Sequence, residues 1–175
     1  MGSDQPSAPD FDLPPSEDDG PLWMRWMLQA NGVKEYPGSA NNPMIVGAAQ
    51  FVGRCNPSLQ DYCDSYKQDA TPWCGLAVAW AFAKANVRPP EEFLSSSVWR
   101  SFGFDVKSPE YGCVVCLDGH VGLFHHQEGS TIYLAGGNQS DMVTITPFKE
   151  SQIIACRWPA PEDYKTGYYP DDDRK

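Results

Sequence analysis

Residues 70–85, ATPWCGLAVAWAFAKA, carry no charge until Lys84. Ala, Leu, Val, Trp and Phe dominate the run, which is too long for an ordinary strand. It predicts a helix buried around most of its circumference. Thr71 reads as the N-cap and Pro72 as the first helical position, with Pro89-Pro90 as the stop. A chain containing such a helix must fold around it. Cys74 falls in the first helical turn, where unpaired backbone N–H groups and the positive dipole end favour a thiolate. A nucleophilic cysteine needs a base and a polar group to orient that base. Two downstream stretches supply them: Gly119-His120-Val121-Gly122 and Gly136-Gly137-Asn138-Gln139. Taken singly, Cys74 is an ordinary buried thiol, His120 a turn histidine and Asn138 a turn residue after two glycines. Their order, a cysteine at a helix start, a histidine opening a strand, a polar residue at the next strand's exit, points to a cysteine hydrolase.

The rest of the chain divides by pattern. Residues 1–20 are rich in Pro, Ser and Asp and predict a disordered acidic N-terminal extension. Residues 21–159 read as one domain, and 160–175 as an acidic C-terminal tail. Apolar spacing predicts helices over 21–31 and 42–52, the second capped by Asn42 with Pro43 behind it, and a short one over 92–102. Residues 53–69 read mostly as loop. From Cys113 the pattern changes to short runs rich in Val, Ile, Tyr and Phe at 113–117, 121–126, 131–135, 142–147 and 153–158. Helices followed by antiparallel strands predict an α+β fold with a sheet of about five strands.

Composition narrows the function. At 41% hydrophobic and 13% aromatic residues the chain can build a real core. A formal net charge of −10 argues against a nucleic-acid partner. No apolar run approaches the roughly 20 residues of a membrane span. No basic, then apolar, signal sequence opens the chain. The Met-Gly-Ser start reads as a cloning remnant, which leaves a removed signal open. There are six cysteines. Cys55 and Cys63 flank a short stretch and are a candidate disulfide in an oxidising compartment. Cys113 and Cys116 have C-x-x-C spacing, but no second pair accompanies them, and on a strand they face opposite sides. Neither a metal nor a cofactor is expected.

WCGLAVAW, GCVVCLDGHVGLF and YLAGGNQSDMVTI together resemble the NlpC and CHAP families of papain-like bacterial cell-wall hydrolases. The similarity is to a phage- and bacteria-borne branch with Trp-Cys, Gly-His-Val-Gly and Gly-Gly-Asn-Gln motifs. Gly32-Val33-Lys34-Glu35, Asn41-Asn42-Pro43, SVWRSFG and Cys156-Arg157-Trp158-Pro159 also look like that branch, so the resemblance spans about residues 22–159. It implies a papain-like core, with a nucleophile helix packed on an antiparallel sheet. It implies Cys74 as nucleophile, His120 as general base and acid, and Asn138 as the group orienting the imidazole. Should Asn138 serve the turn alone, Gln139 is the next residue to consider. The Cys74 backbone N–H would hold the oxyanion, with Gln68 or Tyr66 as a side-chain donor. Trp73, Trp99, Tyr36 and Tyr111 are candidates to line a groove, with core packing an equal alternative. Many NlpC relatives carry Asp-Cys-Ser where this chain has Trp73-Cys74-Gly75, and many CHAP relatives carry a carboxylate where it has Gly136.

The implied activity is hydrolysis of an amide in peptidoglycan stem peptides, by an endopeptidase or an N-acetylmuramoyl-L-alanine amidase. The alternative is a non-catalytic hydrolase-like module of a phage tail or secretion system. Peptidoglycan is the expected partner of a monomer acting in the periplasm or cell wall, and an immunity or delivery protein is a further candidate. Delivery would be by phage, by a secretion system or through a removed signal.

Overall fold

The computed structural model describes residues 20–165 of the chain. Four α-helices come first: α1 Leu22–Gln29, α2 Pro43–Cys55, α3 Gln60–Asp64 and α4 Cys74–Lys84. Six strands follow: β1 Phe104–Asp105, β2 Val114–Leu117, β3 His120–Glu128, β4 Thr131–Gln139, β5 Met142–Lys149 and β6 Ala155–Trp158. They form one sheet in the order β1-β6-β2-β3-β4-β5, antiparallel throughout. The α+β class expected from the sequence is observed. The sixth strand, β1, is two exposed residues paired with β6, too short to leave a periodic signal.

The apolar run becomes α4, in which nine of eleven residues are buried. It begins later than expected. Trp73 is the N-cap, without a side-chain cap bond, and Cys74 is the first helical residue. Thr71 is used elsewhere: its N–H donates to the Gln68 carbonyl, and its own carbonyl accepts from the Tyr66 hydroxyl at 3.0 Å. Asn42 does cap α2, its side chain accepting from Met44 N–H at 2.9 Å.

The sheet has two buried faces. Val114, Cys116, Val121, Leu123, Ala135 and Val143 join the helices in the main core. Cys113, Val115, Leu117, Phe124, Ile132, Leu134 and Cys156 form a smaller core on the other face. Cys113 and Cys116 thus point to opposite sides, as strand geometry requires. Gly75 lets the loop before the 3-10 helix Ser96–Ser101 press against α4: a Cβ there would lie 1.9 Å from the Phe93 carbonyl oxygen. The same carbonyl accepts from Trp99 Nε1 at 3.0 Å, and Trp99 is fully buried. That 3-10 helix is what stands where a short α-helix over 92–102 was expected.

Three further expectations change. Residues 53–69 are not mostly loop, because α2 runs on to Cys55 and is followed by the 3-10 turn Pro57–Leu59 and α3. That helical path turns Cys63 into the main core and leaves Cys55 at the end of α2. Both remain thiols, so the expected disulfide is absent. Residues 160–165 are not a loose tail. Arg88 N–H donates to the Asp163 carbonyl, Lys165 N–H to the Asn86 carbonyl, and Tyr164 bridges to Val87. The extension expected at 1–20 lies outside the described residues except for Gly20, and so does the tail from 166 onward.

Candidate active site

Cys74 stands at the open end of α4 with only 4% of its surface exposed. Ala77 N–H makes the first intrahelical bond, to the Trp73 carbonyl. The amides of Cys74, Gly75 and Val121 point at the sulfur and favour its thiolate. Burial outweighs them and pushes the thiol above its ordinary value. The low-pKa thiolate expected from a helix start is therefore corrected: desolvation wins over the dipole, and Cys74 rests as a thiol.

His120 opens β3 one residue before Val121, so α4 delivers the sulfur to the backbone next to the histidine. The ring lies on the sheet's second face. It stacks on Phe148 at a centroid distance of 5.4 Å, and its Nε2 is 3.0 Å from Gln139 Oε1. Gln139 is 4% exposed and its orientation is determined by its partners. Nε2 of Gln139 donates to the carbonyls of Leu134 at 3.0 Å and Thr144 at 2.7 Å. Oε1 can only accept, so His120 Nε2 must carry the proton and Nδ1 keeps the lone pair. Burial pushes His120 below its ordinary pKa, and the Gln139 bond opposes this. At neutral pH the ring is an uncharged base. Among the described residues no hydrogen bond joins Cys74 Sγ to the ring.

Asn138, expected to orient the imidazole, does not bond it. It has φ 55° and lies in the β4–β5 irregularity between Gly136 and Gln139. Ser140 and Asp141 are also left-handed, at φ 54° and 60°. This turn is held from outside: Gly32 and Val33 exchange bonds with Val143, and Glu35 N–H donates to the Asp141 carbonyl. The irregular backbone swings Gln139 back over Gly136, where a Cβ would meet Oε1 at 2.9 Å. Gly136 is thus the space Gln139 needs, which explains why no carboxylate stands there.

The remaining candidates separate. Trp73 is buried and not a groove wall facing solvent. Its Nε1 donates to Glu35 Oε1 at 2.8 Å, and its ring edge would lie 2.6 Å from a Cβ on Gly137. Tyr66 is buried, its hydroxyl engaged by Thr71, so it is not poised as an oxyanion donor; burial also raises its pKa. Gln68 is exposed on the loop before α4. Trp99 belongs to the core and Tyr111 packs beside His125, whereas Tyr36 is 42% exposed. Asp69, missed in the sequence, is buried and accepts from the amides of Tyr36 at 2.9 Å and Asn42 at 2.7 Å. Its place directly after a polar loop gave no signal. Among the described residues no cluster of His, Cys, Asp and Glu has the form of a metal site.

No protein-family model matches the chain, and no curated protein or solved structure matches it.

Proposed function

We propose that the protein is a papain-like cysteine hydrolase that cleaves an amide of peptidoglycan stem peptides. The observation that carries the reading is a cysteine at a helix mouth whose sulfur meets the Val121 amide, next in the chain to a neutral histidine whose tautomer is set by Gln139. In this reading His120 Nδ1 takes the proton of Cys74 as the sulfur attacks the carbonyl carbon. The carbonyl oxygen, now negative, faces the Cys74 and Gly75 amides. The imidazolium then protonates the leaving amine, and water releases the acyl group from the sulfur. Because thiol and imidazole both rest uncharged, proton transfer accompanies attack. This step requires the His120 ring to leave its stack with Phe148, on the sheet face away from α4, and turn toward the Cys74 sulfur. Peptidoglycan as substrate rests on the motif resemblance, and either an endopeptidase or an amidase fits this chemistry.

A second reading has one observation in its favour: a buried thiol lacking a hydrogen bond to the ring also suits a non-catalytic hydrolase-like module. Mass spectrometry of muropeptides from purified sacculi separates the two. Wild-type protein is expected to release cleaved stem peptides, and Cys74→Ala to release none while staying folded, with a stability change of about 1 kcal/mol or less. Undigested sacculi with wild-type protein, or full activity in Cys74→Ala, would overturn the hydrolase reading.

A further inference from the structure

The chain has three histidines, and two of them are consecutive in β3. Consecutive strand residues ordinarily point to opposite faces. His125 and His126 do not. The pairing of β3 with β4 steps from Phe124↔Leu134 to His126↔Tyr133, so β3 advances two residues where β4 advances one. That is a β-bulge with His125 as the extra residue, and a bulge re-aims the side chains it carries. Here it turns the two rings together. Their centroids are 5.0 Å apart at an interplanar angle of 75°, and the two Nδ1 atoms lie 2.7 Å from each other.

Both rings are held in this arrangement. His126 stacks flat on Tyr133, at 4.2 Å and 6°, and its Nε2 faces Glu128 Oε1 at 3.5 Å. The Tyr133 hydroxyl donates to the other oxygen of that carboxylate at 3.4 Å. His125 packs edge-on against Tyr111, with centroids 5.7 Å apart. The carboxylate favours the His126 tautomer protonated at Nε2, which leaves Nδ1 its lone pair. The proton between the rings then belongs to His125 Nδ1. Moving it to Nε2 of the same ring makes two lone pairs converge on one point. A carboxylate on the far nitrogen is also what metal-bound imidazoles ordinarily have. The His126 side chain is 41% exposed, so an ion can reach it from solvent.

The spacing selects the ion. With bonds of ~2.0 Å, nitrogens 2.7 Å apart subtend about 85° at a metal. That is close to the right angle between neighbouring ligands of tetragonal copper(II) or nickel(II), and much narrower than the tetrahedral angle zinc takes. Of the first two, copper(II) binds nitrogen ligands more tightly. No group of three or more His, Cys, Asp and Glu side chains converges among the described residues, so water has to fill the remaining positions. His120 stands at the other end of β3, about 16 Å away at ~3.3 Å per residue, so an ion here does not reach the Cys74–His120 site.

We propose that His125 and His126 chelate one copper(II) ion through their Nδ1 atoms, with water completing its coordination. The test is pulsed EPR of the full chain with one equivalent of copper(II), alongside calorimetric titration with copper(II) and with zinc(II). Wild-type protein is expected to bind one copper(II) coupled to two imidazoles, and to bind zinc at least about tenfold more weakly. His125→Ala and His126→Ala each weaken copper by about tenfold or more and leave one imidazole in the spectrum. Glu128→Gln keeps both imidazoles but weakens copper by up to about tenfold. His120→Ala changes neither reading. The proposal is overturned if folded wild-type protein binds no copper at micromolar concentration, or if its spectrum shows a single imidazole. A thiolate-to-copper charge-transfer band in place of nitrogen coupling, or zinc binding as tightly as copper, also overturns it. So does His125→Ala or His126→Ala binding copper as wild type does, which would make the ion adventitious. The wild-type spectrum decides the matter even if an alanine variant fails to fold.

Discussion

Gln139 reaches His120 because three neighbours, Asn138, Ser140 and Asp141, accept a left-handed backbone. Gln139→Ala is therefore expected to free the ring and lower kcat by roughly ten- to a thousand-fold. Asn138→Gly, which suits φ 55°, should stay within about threefold of wild type in kcat on the same substrate. A nitrogen NMR spectrum should show His120 with Nε2 protonated, and lose that preference in Gln139→Ala. The pH dependence follows from burial of the ring. Its folded pKa lies below the ordinary 6.5, so between the two values the unfolded chain binds more protons. The stability contributed by the neutral ring is present above about 6.5 and lost as pH falls through the folded value. The acid limb of kcat/KM should likewise fall below about 6.5, and alkylation of Cys74 by iodoacetamide should keep rising past about pH 8.5. A limb above 6.5, or alkylation levelling off near pH 7, would contradict this protonation scheme. That Cys74 falls in the first turn of a helix and that His120 opens a strand were legible in the sequence. The residue that bonds the His120 ring was legible only as a pair, Asn138-Gln139. Adjacent strand residues face opposite ways, and the irregular turn that decides between them leaves no mark in the side-chain period.

At the scale of elements, α4 is placed by two glycines that let a neighbour come close to their backbone. Gly75 admits the Phe93 carbonyl, and Gly137 admits Ala77 and the Trp73 ring. Gly75→Ala should cost about 1–3 kcal/mol or more, because its obstacle is rigid backbone. Gly137→Ala should cost a similar amount, about 1–3 kcal/mol, and also lower activity by pushing the nucleophile helix off β4. Urea unfolding measures both, and unchanged midpoints would mean that α4 is free to shift. The existence of α4 was legible because sixteen residues pass with a single charge, at Lys84. Its start was not, because the Tyr66 hydroxyl and the Gln68 carbonyl claim Thr71 for a turn that only the tertiary structure creates. The same applies to α3, whose polar residues make a helix only with Cys63 and Leu59 buried beneath them.

Over the whole molecule, the C-terminal segment acts as a strap. It bonds Asn86 and Arg88 beyond α4, its lysine ammonium reaches the Cys55 carbonyl, and Tyr164 packs beside Trp23. Truncation after Ala160 should remove about 2 kcal/mol and lower Tm by roughly 4–8 °C, read by calorimetry. An unchanged Tm would reduce the strap to decoration. A thiol count in denaturant without reductant should find all six cysteines reduced. Four would mean that one pair had closed in solution. Trp73 meets three separate obligations. One edge donates to Glu35, another fills the space left by Gly137, and the ring also walls a cavity behind α4. Heritable change at this position is consequently hemmed in from three directions. In a library of all twenty residues at position 73, selected only for folded protein, tryptophan should be recovered almost alone. Descendants that lost it would have to rebuild the entrance of α4, the turn at Gly137 and the cavity wall in one evolutionary step.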